Sequence, residues 1–104
     1  MKKQKTHYLK KLYFLFLLAL NEAKAAVEAF AAALERFSAA QSGIRELDAY
    51  LGSDEWLLDR DADEAGRLPE KLRRGVLSED GIYNVLMENR LNMKEALALA
   101  ADYL

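Results

Sequence analysis

The feature that most constrains this chain is a stripe of apolar residues that recurs at steps of three and four from Leu9 to Leu51. Such steps place side chains on one face of an α-helix. Most intervening residues from Asn21 to Ala40 are good helix formers, many of them alanine. We call the first nine members the N-terminal stripe: Leu9, Leu12, Phe16, Leu20, Ala23, Val27, Phe30, Leu34 and Phe37. Gln41, Ile44, Leu47 and Leu51 continue the same face, so one long helical element is predicted.

The length of this element limits how it can pack. A straight helix from Lys5 to Leu51 would be about 70 Å long, whereas a compact domain of this size has a radius of gyration near 13 Å. We therefore predict a kink or a short break at Ser42-Gly43, or packing against another subunit. Gly52 is expected to end the helix, and Ser53 to cap the next one.

The run Leu12–Leu20 is apolar on every side of the predicted helix, and such a helix must be buried on every side. An exposed apolar patch of that size usually marks a partner surface. We predict self-association, with a homodimer as the expected assembly. The alternatives are an intramolecular core under the last helix, a different protein partner, or a membrane. The candidate interaction residues in this run are Leu12, Phe14, Leu15, Phe16 and Leu18.

The N-terminal segment also has some features of a signal peptide. Lysines precede the apolar run, and Ala23-Lys24-Ala25 has the small-x-small form of a cleavage site. The run has only nine residues, far below the ~20 needed to span a bilayer, and the helical period continues through it. We therefore expect a cytoplasmic protein without a membrane span; export, with residues 1–25 as signal peptide, is the alternative.

The second half contains a predicted helix–turn–helix corner. Pro69 is expected to begin a short helix that runs to Arg74, and Gly75 to end it in the left-handed conformation. Ser78 is the candidate N-cap of a long last helix from Glu79 to Asp102. Leu77 and Ile82 have the spacing of a hydrophobic staple around that cap.

The same part of the chain resembles a known family. The pattern is Trp56-x-x-Asp59, then Asp63-Glu64-x-Gly66-x-Leu68-Pro69, then Leu72-x-Arg74-Gly75-Val76-Leu77-Ser78-Glu79-Asp80-x-x-Tyr83-Asn84-x-Leu86. It resembles the bacterial family known as domain of unknown function 4298. The resemblance implies a fold and a bacterial origin, and it brings no activity or functional residue.

Together these patterns predict an all-α fold. A long, kinked amphipathic first helix should pack antiparallel on a long C-terminal helix, with short helices and an acidic loop between them. The 104 residues fit a single domain, with 1–20 as a basic and apolar helical extension and 21–104 as the family-like region. The absence of cysteine excludes disulfides, thiolate zinc sites and a cysteine nucleophile. The net charge of −2 gives no reason to expect nucleic acid.

The acidic segment raises the question of a cation site. If Asp59 is position 1 of an EF-hand loop, Asp61, Asp63 and Glu70 stand at positions 3, 5 and 12. Position 6, where the loop needs glycine, is Glu64. We therefore favour an acidic loop, spanning Arg60–Leu68, that pairs with nearby arginines, and keep the metal site as the weaker alternative.

A small anion or peptide pocket is a further possibility in this region. It would be lined by Trp56, Asp59, Asp63, Arg73 and Arg74. We favour Trp56 as a core anchor whose indole N–H binds a nearby carboxylate, and Tyr83 as an aromatic residue at the edge of the core. His7 stands alone among lysines, so no metal or general-base role is expected for it.

The sequence therefore predicts a non-enzymatic interaction or scaffold protein without a cofactor. One alternative is a ligand- or cation-binding module that uses the acidic segment 59–70 with Arg73 and Arg74. A second is a phage- or defence-associated inhibitor that binds a larger protein. No nucleophile–base arrangement is visible to suggest an enzyme.

Overall fold

The computed structural model describes residues 2–104, and their side chains from His7 onward. The described chain has three α-helices, α1 (Lys2–Tyr50), α2 (Asp54–Glu64) and α3 (Glu79–Tyr103), with a 3₁₀ turn at Gly75–Leu77. No strand occurs in this range, so the predicted all-α class is confirmed. The side chains of Lys2, Lys3 and Lys5, which belong to the predicted basic extension, lie outside the described residues.

The chain forms two compact units, residues 1–39 and residues 40–104. The first unit is helix alone, and every described side chain from His7 to Arg36 in it is exposed. The second unit contains the last turns of α1, then α2, the 3₁₀ turn and α3. Its core holds Trp56 and Ile82, each 3% exposed.

Helix α1 continues through Ser42 and Gly43 without interruption, so the short break expected there is absent. A lone glycine costs a helix only about 1 kcal/mol relative to alanine. Strong helix formers on its N-terminal side and the continuing apolar face outweigh that cost. In the second unit this face is half-buried at Gln41, Ile44 and Leu47, in agreement with the predicted register.

The boundary between α1 and α2 follows the prediction. Gly52 has a φ of +76°, a conformation that glycine adopts without steric cost. The Ser53 hydroxyl accepts from the backbone N–H of Trp56 at 3.1 Å and donates to the Tyr50 carbonyl at 2.6 Å. Ser53 therefore caps α2.

Helix α2 extends to Glu64, so Arg60–Glu64 is helical and not part of the predicted acidic loop. The helix ends in a Schellman motif around Gly66, whose φ is +72°. The Arg67 N–H bonds the Ala62 carbonyl at 2.9 Å, and the Gly66 N–H bonds the Asp63 carbonyl at 3.0 Å. The left-handed conformation available at Gly66 thus decides where α2 stops.

The predicted helix from Pro69 to Arg74 is wrong, because this segment is an irregular turn. The carbonyls of Pro69, Glu70 and Leu72 accept from the Arg74 guanidinium, and the Pro69 carbonyl also accepts from the Leu72 N–H at 3.1 Å in a single turn. Gly75 is also not left-handed, since Gly52 and Gly66 are the glycines with positive φ in the described range. Gly75 instead begins the 3₁₀ turn that leads to Ser78.

Helix α3 begins as predicted, because the Ser78 hydroxyl accepts from the Gly81 N–H at 3.3 Å. Glu79 and Asp80 occupy the first turn, where their negative charges interact favourably with the helix dipole. Among the apolar residues of α3, Ile82 is buried and Leu86 is half-buried. Val85, Met93 and Leu97 are exposed, and so are all residues after Asn89.

Candidate protein-interaction surface

The first unit presents the N-terminal stripe to solvent. Phe16 is 67% exposed, Val27 is 68% exposed and Phe30 is 57% exposed. Leu9, Leu12, Leu20 and Leu34 are exposed as well. Because apolar surface in water is unfavourable, the stripe is the strongest candidate for a binding surface in the described chain.

The predicted interaction residues of the run Leu12–Leu20 surround the helix. Phe16 and Leu12 lie on the stripe, whereas Phe14 and Leu18 lie on the opposite side, and Leu15 lies between the two sides. All five are exposed, with Phe14 at 57%. The first unit thus has one continuous stripe along its length and additional apolar surface near its start.

Trp56 lies in the core of the second unit and offers no exposed surface to a partner. Its indole Nε1–H donates to the Val76 carbonyl at 2.9 Å, so the predicted carboxylate acceptor is wrong. The Arg60 guanidinium lies over the indole ring, 4.9 Å from its centroid, in a cation–π contact. The Arg60 Nε atom is buried without a hydrogen-bond partner among the described residues.

Arg74 organises the irregular turn. Its Nε donates to Asp63 Oδ1 in a direct ion pair. Its terminal nitrogens donate to the carbonyls of Pro69 at 2.8 Å, Leu72 at 2.9 Å and Glu70 at 3.1 Å. Arginine can satisfy several acceptors in this way because its donors form a rigid planar fork.

The anion or peptide pocket predicted around these residues is not supported. Arg74 and Asp63 bind each other, Trp56 is buried, and the Asp59 carboxylate accepts from the Tyr50 hydroxyl at 2.6 Å. That hydrogen bond, with burial and the nearby charges of Asp59 and Glu55, raises the pKa of Tyr50 to about 12. Arg73 remains exposed.

The calcium site predicted as a weaker alternative is also not supported. Asp59, Asp61 and Asp63 lie in helix α2, so an EF-hand loop does not form there, and Glu70 lies in the turn beyond it. Across the described side chains, no group of three or more acidic, histidine or cysteine residues could hold a metal ion. His7 is exposed.

The second unit has an open groove of about 560 Å³ between the last turns of α1 and the first half of α3. Tyr83, predicted at the edge of the core, is 51% exposed and lines this groove. Gln41 and Asn89 pair their amides there, at 3.0 and 3.1 Å. No pattern in the sequence predicts this groove, although Gln41 is a polar residue on an otherwise apolar helix face.

The model of one protein family, described as a domain of unknown function (DUF4298), matches residues 18–99 of the chain. This match covers well over half of the sequence. The chain belongs to the DUF4298 family. No curated protein and no solved structure matches it.

The DUF4298 match covers most of the second unit and part of the first. It includes the second unit up to residue 99, and the N-terminal stripe from Leu20 onward. Leu12, Phe14, Leu15 and Phe16 precede it, close to the predicted boundary at residue 21. The family description assigns no residue a role. In the described part of the chain, no helix is both long and apolar enough to cross a membrane.

Proposed function

We propose that this DUF4298 protein is a non-enzymatic interaction module that self-associates through the N-terminal stripe. The observation that carries the proposal is the exposure of the stripe residues from Leu9 to Leu34 on an uninterrupted helix. We place the protein in the cytoplasm because its apolar run is short and continues the helical period without a change at Ala23-Lys24-Ala25.

Helix energetics support this proposal. Most helical stability in proteins comes from packing an amphipathic face and not from helix propensity. In the first unit, the side chains from His7 to Arg36 are exposed. A partner helix would provide the missing packing. The alanine-rich composition alone would leave this unit close to the balance between helix and coil.

The apolar surface is also large enough to hold two copies together. Full burial of one large apolar side chain contributes about 1.5–3 kcal/mol, whereas association costs about 4–15 kcal/mol. Two copies of the stripe bring more than ten such side chains to the interface. Even partial burial would therefore outweigh the association cost.

The test compares two substitutions of the same residue type. Phe16→Glu places a charge on the stripe, and Phe14→Glu places the same charge on the opposite side of α1. The two phenylalanines have similar exposure, 67% and 57%. We expect light scattering, over a hundredfold range of concentration, to give a dimer for the unmodified protein and for Phe14→Glu, and a monomer for Phe16→Glu.

Two results would contradict the proposal. A monomeric unmodified protein at tens of micromolar would show that the stripe does not bind a second copy. A Phe16→Glu variant that remains dimeric would show that the assembly uses another surface. Circular dichroism of each variant reports whether the second unit stays helical, which separates lost association from unfolding.

A further inference from the structure

We propose that the two copies pair antiparallel along the N-terminal stripe, with their two-fold axis level with residues 21 and 22. This inference rests on the proposed function and specifies the geometry of the same surface. It uses only side chains of the first unit, which are helical and exposed in the described structure.

The stripe has a heptad register. Its spacing averages 3.5 residues, the repeat of a left-handed coiled coil. Tyr13 lies on the same face as the stripe and completes this pattern. Written as abcdefg, the a positions are Tyr13, Leu20, Val27 and Leu34, and the d positions are Leu9, Phe16, Ala23, Phe30 and Phe37, whereas Leu12 falls at g.

Side-chain size favours antiparallel pairing, in which a positions face d positions. With the axis level with residues 21 and 22, residue i lies level with residue 43 − i of the other copy. Leu20 then faces the partner's Ala23, and Val27 faces the partner's Phe16. In a parallel, in-register pair, Ala23 would face the partner's Ala23 and leave a void, and Phe16 would face the partner's Phe16. Cores pack best when large side chains face small ones.

Within the bulky run, only the residues on the face of the stripe meet the partner, because Phe14 and Leu18 lie on the opposite side of the helix. Residues 12–18 lie level with residues 25–31 of the partner subunit, a segment that contains four alanines. After Leu12, the g positions are Ala19, Ala26 and Ala33. These small side chains would allow the two backbones to approach closely. A parallel pair would place Tyr13 and Phe16 level with the same residues of the other copy.

Charge also favours the antiparallel orientation. Lys10 and Lys11 lie near the start of the stripe, and Glu28 and Glu35 lie near its end. In the antiparallel pair, both lysines lie within about 8 Å, measured along the axis, of the partner's Glu28 and the partner's Glu35. In a parallel pair the lysines would lie level with the lysines of the other copy, and the glutamates with its glutamates, so opposite charges would not be brought to the same level.

The test measures distances between spin labels. The natural chain has no cysteine, so a single introduced cysteine directs one label to each subunit. Asn21→Cys and Ala32→Cys are suitable because both positions are neutral, exposed and off the stripe. In the antiparallel dimer the labels at position 21 are nearly level, whereas those at position 32 are separated by about 32 Å along the axis.

Pulsed dipolar spectroscopy is therefore expected to give a short distance at position 21 and a distance of at least about 32 Å at position 32. Short distances at both positions in a dimer would overturn the antiparallel inference but leave self-association intact. A long distance at position 21 would overturn the proposed position of the axis. A monomeric mass without dipolar coupling at either position would overturn self-association itself.

Charge reversal gives a second, independent readout. Lys10→Glu with Lys11→Glu should weaken the dimer about tenfold at low salt, and adding Glu28→Lys with Glu35→Lys should restore its affinity. In a parallel dimer the two pairs of substitutions would act independently. A fourfold variant no tighter than the Lys10→Glu/Lys11→Glu variant would therefore argue against the antiparallel pairing.

Discussion

Gln41 and Asn89 exchange a reciprocal pair of hydrogen bonds between α1 and α3, although they are 48 positions apart in the chain. Each amide donates to the oxygen of the other, at 3.0 and 3.1 Å. Both side chains are half-buried. The pair aligns the last turns of α1 with the first half of α3 within the second unit.

This pairing predicts a non-additive double-mutant cycle. Gln41→Leu leaves the Asn89 amide without this partner, and we expect a loss of about 1–2 kcal/mol in the free energy of unfolding. Adding Asn89→Leu should recover most of that loss, because no polar group at this contact then remains unpaired. Urea denaturation of the four proteins measures the coupling, and simple additivity would argue against it.

Replacing Arg74 or its neighbour Arg73 by lysine should have different effects on the free energy of unfolding. Arg74→Lys removes the planar fork that bonds Asp63 and three backbone carbonyls, so we expect a loss of about 2 kcal/mol. Arg73→Lys keeps the charge at an exposed position and should change stability by less than about 0.5 kcal/mol. Equal losses in thermal or urea unfolding would contradict the special role of Arg74.

Replacing Gly43 or Gly81 by alanine should change the stability of the protein in opposite directions. A Cβ at Gly81 would lie 2.8 Å from the Gly75 carbonyl oxygen, whereas a Cβ at Gly43 would meet open space. Gly43→Ala should therefore stabilise the protein by about 0.5–1 kcal/mol, the ordinary helix gain. Gly81→Ala should be destabilising despite its helical position. A gain at both positions, measured by urea denaturation, would show that the Gly75 carbonyl can move away.

The hydrogen bond from Tyr50 to Asp59 predicts a pH dependence. The pKa of Tyr50 is raised to about 12 in the folded protein, against about 10 in the unfolded chain. The folded protein thus holds this proton more tightly, and the resulting stabilisation is complete below about pH 10. It should be lost as pH rises from about 10 to about 12.

Tyr50→Phe provides the control for this prediction. It lacks the ionising hydroxyl, so the stability difference between the unmodified protein and the variant should shrink across this alkaline range. Comparing the two proteins cancels the titration of lysines and other tyrosines. Urea denaturation at pH 9 and pH 11.5 measures the effect, and a constant difference would contradict the assigned hydrogen bond.

Local sequence signals predicted the helix ends correctly where a few neighbouring residues set the geometry. Gly52, Ser53 and Ser78 act through hydrogen bonds or backbone angles within one turn. The repeat of three and four residues predicted α1 and its buried face from Gln41 onward for the same reason. These features need no information about distant parts of the chain.

The errors occurred where a distant group controls the backbone. The segment from Pro69 to Arg74 has helical signals, but its carbonyls bond the Arg74 side chain, which is also held by Asp63 on another element. The Trp56 indole N–H donates to the Val76 carbonyl, 20 positions away, and not to the predicted carboxylate. A side chain at position 81 would contact the Gly75 carbonyl, which lies close to Gly81 only in the folded chain.

The sequence by itself determined the helical class, the caps, the family and the apolar character of the N-terminal stripe, because these follow from residue type and short-range spacing. Only the tertiary structure decided that Trp56 is buried, that the acidic residues lie in a helix, and that the stripe is exposed. Burial depends on which surfaces the folded chain brings together, and local spacing carries no record of those contacts.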